Sequence, residues 1–213
     1  MLRDNLEESR EVIDKSPRIR EIAREYTRRN AWNLDPRMSK PLLELTYLYT
    51  DFDNGPTRPQ YLCKEFEEGG RYAQELYRHG REVRAKLATI ADDQGNVVLM
   101  RGEAPKRTMG KPWIETVRSY TSNPSVARSF VGESGDIEDL FNVDHTVIPP
   151  DSKVKIEKIN ISDIVDVIGV AWEEEFLVLN RSVIPEEALK RILENDKPFF
   201  ARLLNRSRAM IRR

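Results

Sequence analysis

Three polar groups stand where apolar strands end in this sequence. Arg101 closes the stretch VVLMRG, a hydroxyl cluster of Ser119, Tyr120, Thr121 and Ser122 precedes the break at Asn123-Pro124, and Glu173, Glu174 and Glu175 open the apolar run FLVL. An arginine offers a planar fork of donors matched to phosphate or carboxylate oxygens. Small hydroxyls occupy a strand end where bulky β-branched side chains would pack better. Carboxylates favour positive charge that develops beside them. Taken singly, each group has a bland explanation: an edge arginine, a strand-end turn and a solvated acidic rim. Their order along one chain is what carries information.

The elements that must position these groups change character near residue 90. Segment 3–14 has the pattern of a polar helix, and Ser16-Pro17 supplies a cap and a first helical position for a second helix reaching about Asn30. Ile19, Ile22, Ala23 and Tyr26 share one face of it. Ser39 opens a third helix carrying Leu42, Leu43, Leu45 and Leu48, and a further helix is expected from about Tyr61 to Ala88, interrupted at Gly69-Gly70. DDQGN, at 92–96, is then a turn signal, and Val97 to Met100 read as a strand that runs into Arg101-Gly102. WIETVRSYT, VKIEKI and EEEFLVLN give three more strands, and Pro185 starts a terminal helix interrupted before Pro198. Helices first and strands after predict an α+β fold in one domain over 1–213, made of a helical part (1–90), a β core (91–185) and a C-terminal basic helix (186–213).

Bulk properties narrow the function classes. A chain of 213 residues with 39% hydrophobic and 33% charged residues is long enough and apolar enough to bury a core. With 35 basic against 36 acidic residues the net charge is -1, which gives no global reason to expect a nucleic acid or a membrane as main partner. Cys63 is the lone cysteine, so no intrachain disulfide forms, and with His79 and His145 as the two histidines no metal site is expected. His79 reads as a helix-surface residue and His145 as a strand or turn residue. DFDNG at 51–55 fails as a calcium loop because its glycine comes one residue early and Pro56 follows. No glycine-rich nucleotide motif occurs. Residues 1–18 lack the apolar run of a signal peptide, so a cytoplasmic location is expected.

An arginine, then a serine/threonine strand followed by a short helix, then Glu-x-Glu before an apolar strand resembles the arginine-serine-glutamate class of mono-ADP-ribosyltransferases. LMRGE resembles the family's Leu-Tyr-Arg-Gly strand, SYTSNPSVARSF its Ser-Thr-Ser strand with an Ala-x-x-Phe helix behind it, and EEEFLVL its Glu-x-Glu with aliphatics after it. The likeness spans roughly residues 97–180. Aligning Ser119-Tyr120-Thr121 with Ser-Thr-Ser keeps the usual alanine spacing but puts tyrosine in the middle, whereas aligning Thr121-Ser122 makes the spacing one short; the first is preferred. Glu173 and Glu175 form the Glu-x-Glu pair, with Glu174 the catalytic candidate if the strand slips by one residue.

The resemblance implies a split β-sandwich core of ADP-ribosyltransferase type and NAD as co-substrate. Glu175 is then the carboxylate that favours the oxocarbenium-like transition state, and Glu173 the group that helps deprotonate an acceptor guanidinium. Arg101 binds the diphosphate and ribose, Gly102 lets the backbone approach, and Ser119, Thr121 and Ser122 support the carboxylate and leave room for nicotinamide. Residues 163–172 meet the acceptor and a loop at Gly132–Gly135 covers the cofactor, with Trp172 either a recognition aromatic or a buried strand residue. The expected acceptor is a macromolecule, a host protein modified on arginine, with NAD glycohydrolysis or a non-catalytic binding module as alternatives. A small chain of this kind suits a phage product acting in a host cytoplasm, with a bacterial effector or an endogenous regulator as the other origins. Beyond the likeness, Arg202, Arg206, Arg208, Arg212 and Arg213 make the last stretch basic, which fits either a solvated helix end or docking to RNA or an acidic partner.

Overall fold

The computed structural model describes residues 17–27, 58–102, 116–129, 154–168 and 174–194. Four helices precede the first strand among them: α1 over 17–27, α2 (Arg58–Glu68), α3 (Arg71–His79) and α4 (Arg81–Leu87). Then come β1 (Asn96–Gly102), β2 (Val117–Thr121), the short helix α5 (Pro124–Ser129), β3 (Val154–Asn160), a 3-10 turn (Ile161–Asp163), β4 (Ile164–Ile168), β5 (Glu175–Leu179) and α6 (Glu186–Glu194). The five strands form one antiparallel sheet in the order β3-β1-β2-β5-β4. This is the α+β class that helices-then-strands predicts.

Each helix is placed by the spacing of its apolar residues. Ile19, Ala23 and Tyr26 are buried on α1, Leu62 and Phe66 on α2, Ala73, Leu76 and Tyr77 on α3, and Ala188 and Ile192 on α6. These spacings of three and four residues line up one stripe per helix. On the sheet, alternation divides the side chains between two faces. One face carries Val117, Leu177, Leu179 and Ile168, packed under α2, α3 and α6, while Val98 and Met100 pack under Ala127 of α5. The other face carries Val97, Leu99, Tyr120, Phe176 and Val178 beneath α1 and α4. We call them the first and second face.

Two glycines set where the helical part breaks. Gly69, at φ +61, lets the Gly69 amide bond Phe66 and the Gly70 amide bond Glu65, the paired closure that ends a helix with a left-handed residue. The second break, at Gly80, falls inside what the periodicity presents as one continuous helix. Gly80 is needed for contact rather than for conformation: a Cβ there would lie 1.8 Å from the Val165 carbonyl oxygen. The helix pair thus rests directly on the backbone of β4.

Strand β4 adds to the strands expected from the sequence. IVDVI is buried along its whole length, so its mixed pattern does not alternate visibly, and a register shift lies between Ile164 and Asp166. The segments 3–14 and 39–50, the candidate calcium stretch and the terminal arginines lie outside the described residues.

Candidate functional site

The three motif strands are neighbours. β1, β2 and β5 stand consecutively in the sheet, although 73 positions separate the end of β1 from the start of β5 in the chain (Gly102 to Glu175). On β2 and β5 the register sets Thr121 opposite Glu175 and Ser119 opposite Leu177. Residues directly opposite in an antiparallel pair share a face, and so do residues two apart on one strand. Ser119, Thr121 and Glu175 therefore lie together on the first face. Apolar clusters flank them: Val117, Leu177 and Leu179 towards α2, α3 and α6, and Val98 with Met100 towards α5.

Glu175 is 5% exposed and lies between Thr121 on β2 and Ile168 on β4. Thr121 and Ser122 are buried with it. The Thr121 hydroxyl also has a local task, because its oxygen accepts the Asn123 amide at 3.0 Å, and the Asn123 carbonyl then takes the first helical bond of α5 from Ala127. Hydroxyls at the break thus serve the turn as well as the face beside Glu175.

Arg101 is placed differently. Met100 pairs with Thr121 and is on the first face, so alternation sends Arg101 to the second, where it neighbours Tyr120 and lies opposite Lys155 of β3. Among the described residues the β1–β2 register holds the Met100–Thr121 pair. Next to that pair the Arg101 Nη1 donates to the Ser119 carbonyl oxygen at 3.4 Å. The arginine is joined to the hydroxyl strand through its backbone rather than through the face shared with Glu175. Gly102 ends β1 one residue further on.

Around Arg101 the second face is polar and interlinked. The Tyr120 hydroxyl donates to Glu157 of β3. Burial pushes the Tyr120 phenol up to about 12, the Glu157 carboxylate adds to the rise, and Arg101 and Arg118 oppose it. The tyrosine that interrupts the Ser-Thr-Ser pattern is thereby directed away from Ser119 and Thr121.

The neighbouring glutamate is held by another part of the chain. Glu174, 1% exposed, has φ 47, a left-handed conformation that side-chain-bearing residues seldom adopt. Its Oε1 accepts from Arg24 Nε at 2.6 Å, and its Oε2 lies 3.5 Å from Arg20 Nε, an ion-pair distance. Burial raises the Glu174 carboxyl above the usual range, while the two arginines and the Ser122 hydroxyl act against that rise. Sequence reasoning missed this contact across 150 positions. The available signal was Arg20 and Arg24 themselves, two like charges four residues apart beside an apolar stripe, an arrangement that is unfavourable on a helix without an anion near both.

A second buried polar group lies near β4. His79 Nδ1 and Asp166 Oδ2 are 2.6 Å apart with both side chains buried, which corrects the expectation of a surface histidine. Arg84, fully buried, donates to the carbonyls of Ile164 at 2.9 Å and Val165 at 2.8 Å and to that of Tyr77, and stacks 3.8 Å from the Tyr77 ring. Among the described residues no group of three His, Cys, Asp or Glu side chains is arranged to hold a metal ion, and no helix is long and apolar enough to cross a membrane. Glu173, Trp172 and the Gly132–Gly135 loop lie outside the described residues, while 164–168, part of the expected acceptor segment, are a buried strand. Compared with family models, curated proteins and solved structures, the chain matches none.

Proposed function

We propose that the chain is an NAD-dependent mono-ADP-ribosyltransferase that moves ADP-ribose to a macromolecular acceptor, a protein arginine, and releases nicotinamide. The observation that carries this reading is the convergence of three remote motifs on the adjacent strands β1, β2 and β5, with Ser119, Thr121 and Glu175 on one face. A split β-sandwich of the ADP-ribosyltransferase type belongs to the same reading.

In the reaction, the bond between nicotinamide and the ribose anomeric carbon breaks and its electron pair departs with nicotinamide. Positive charge grows on the sugar, and a fixed carboxylate at Glu175 is favoured more in that state than in the ground state. An acceptor nitrogen bonds to the anomeric carbon and gives up a proton, a task this reading assigns to Glu173, the first glutamate of the Glu-x-Glu pair. Arg101 acts from the second face, where its Nη1 donates to the Ser119 carbonyl.

The face taken by Arg101 favours a second reading, a binding module on the same sheet without turnover. NAD labelled in its adenylate part separates the outcomes when incubated with the protein and a cell lysate. Transfer leaves label on protein, hydrolysis leaves free ADP-ribose and nicotinamide, and a binding module leaves NAD intact. Intact NAD, or transfer that persists in Glu175→Gln, overturns the proposal.

A further inference from the structure

Helix α1 reaches the start of β5 through two arginines, and that start decides which glutamate faces the hydroxyls. α1 is fixed against the second face by Ile19, Ala23 and Tyr26, packed with Leu99, Phe176 and Val178. Lys86 of α4 ties it further, Nζ to Glu25 Oε2 at 2.6 Å. From this anchored helix Arg24 and Arg20 meet the two oxygens of Glu174 at 2.6 Å and 3.5 Å.

Glu174 is the residue at which the chain turns into the strand. Its left-handed backbone is uphill for a residue with a side chain, so contacts elsewhere must hold it. The next residue, Glu175, is opposite both Thr121 and Ile168. A slip of one residue would carry Glu174 to the first face and Glu175 to the second. A carboxylate buried between two arginines on the second face resists that slip, because moving it would strand the charges.

We infer that Arg20 and Arg24 are positioning residues: by clamping Glu174 on the second face they fix the register in which Glu175 alone meets Ser119 and Thr121. The helical part of the chain is thereby a component of the site rather than an appendage. The inference rests on the reading of Glu175 as the working carboxylate, yet its structural half can be measured without NAD.

The test uses the full chain carrying Arg20→Ala with Arg24→Ala. Two readouts that general stability does not move together are amide exchange along β5 compared with β3, and the Glu175 carboxyl titration followed by carbon NMR. Expected are faster exchange in β5 alone, a displaced Glu175 titration, and a fall of roughly 10-fold to 100-fold in kcat for NAD cleavage with KM little changed. The charge swap Arg24→Glu with Glu174→Arg should restore part of each. Unchanged β5 exchange and an unchanged Glu175 titration in the double variant overturn the clamp. If the double variant does not fold, Arg24→Gln is measured in its place, and unchanged exchange and titration there overturn the clamp equally. A wild type that leaves NAD uncleaved overturns the proposed function, while exchange and titration still decide the clamp.

Discussion

Two buried polar regions of this molecule answer to different physics. Beside β4, the Arg84 guanidinium ends on three backbone carbonyls, and His79 meets Asp166. The arginine satisfies main-chain groups that folding would otherwise leave bare, and the histidine pairs a buried carboxylate. On β2 and β5, Ser119, Thr121 and Glu175 share a face between apolar clusters, where aliphatic side chains would serve the core as well or better. The contrast teaches how to separate polar groups that build the fold from those the fold carries. Removing the first kind should cost stability, and removing the second should cost activity.

The largest effect expected from breaking this contrast is Arg84→Ala. It leaves the carbonyls of Ile164, Val165 and Tyr77 buried without their donor and opens space beside the Tyr77 ring, a loss of about 4 kcal/mol measured by urea denaturation. Glu175→Gln should do the reverse. NAD turnover falls ~10² to 10³-fold, equivalent to about 3–4 kcal/mol on the barrier, while unfolding free energy shifts by under about 1 kcal/mol. A Glu175→Gln protein that unfolds easily and turns over normally would erase the distinction.

His79→Phe keeps a ring in place but leaves the Asp166 carboxylate buried opposite an apolar edge, costing about 2 kcal/mol. Adding Asp166→Leu should recover much of that loss, since a buried charge without its partner is worse than none. The smallest effect is that of Tyr120→Phe, and it depends on pH. The folded phenol is raised to about 12 from 10.0, so its contribution is fully present below pH 10 and is lost as pH climbs through about 12. In the wild type that loss is about 1–2 kcal/mol after solvent screening, and in Tyr120→Phe it is absent. Parallel denaturation curves across alkaline pH measure it.

How much of this was legible in the sequence follows from how local each signal is. Pro17 and the stripe Ile19, Ala23, Tyr26 gave the helix at 17–27, and Gly69-Gly70 marked a real break, because caps and stripes are written within a few residues. Gly95 and Asp92 likewise announced the turn into β1, where the Asp92 carboxylate accepts the amides of Gln94 and Asn96. The alternation on β2 already separated Tyr120 from Ser119 and Thr121. What was illegible is set at long range. Gly80 looks like any helix glycine until the Val165 carbonyl is put against it. His79 reads as surface because Asp166, which buries it, is 87 positions away. β4 hides because both its faces are covered, which removes the alternation that betrays half-exposed strands. The side taken by Arg101 depends on a register that motif order does not contain.

Among the described residues the outer strands of the sheet are β3 and β4, and they are guarded by unlike means. β3 presents Lys155 and Lys158 to solvent, charges that discourage another strand from adding alongside. β4 is wholly apolar but for Asp166, and its protection is Arg84, which occupies the carbonyls of Ile164 and Val165, together with the helices pressed over it. Loss of that guanidinium therefore bares a sticky ribbon, and its outcome at high protein concentration is edge-to-edge self-association rather than simple unfolding.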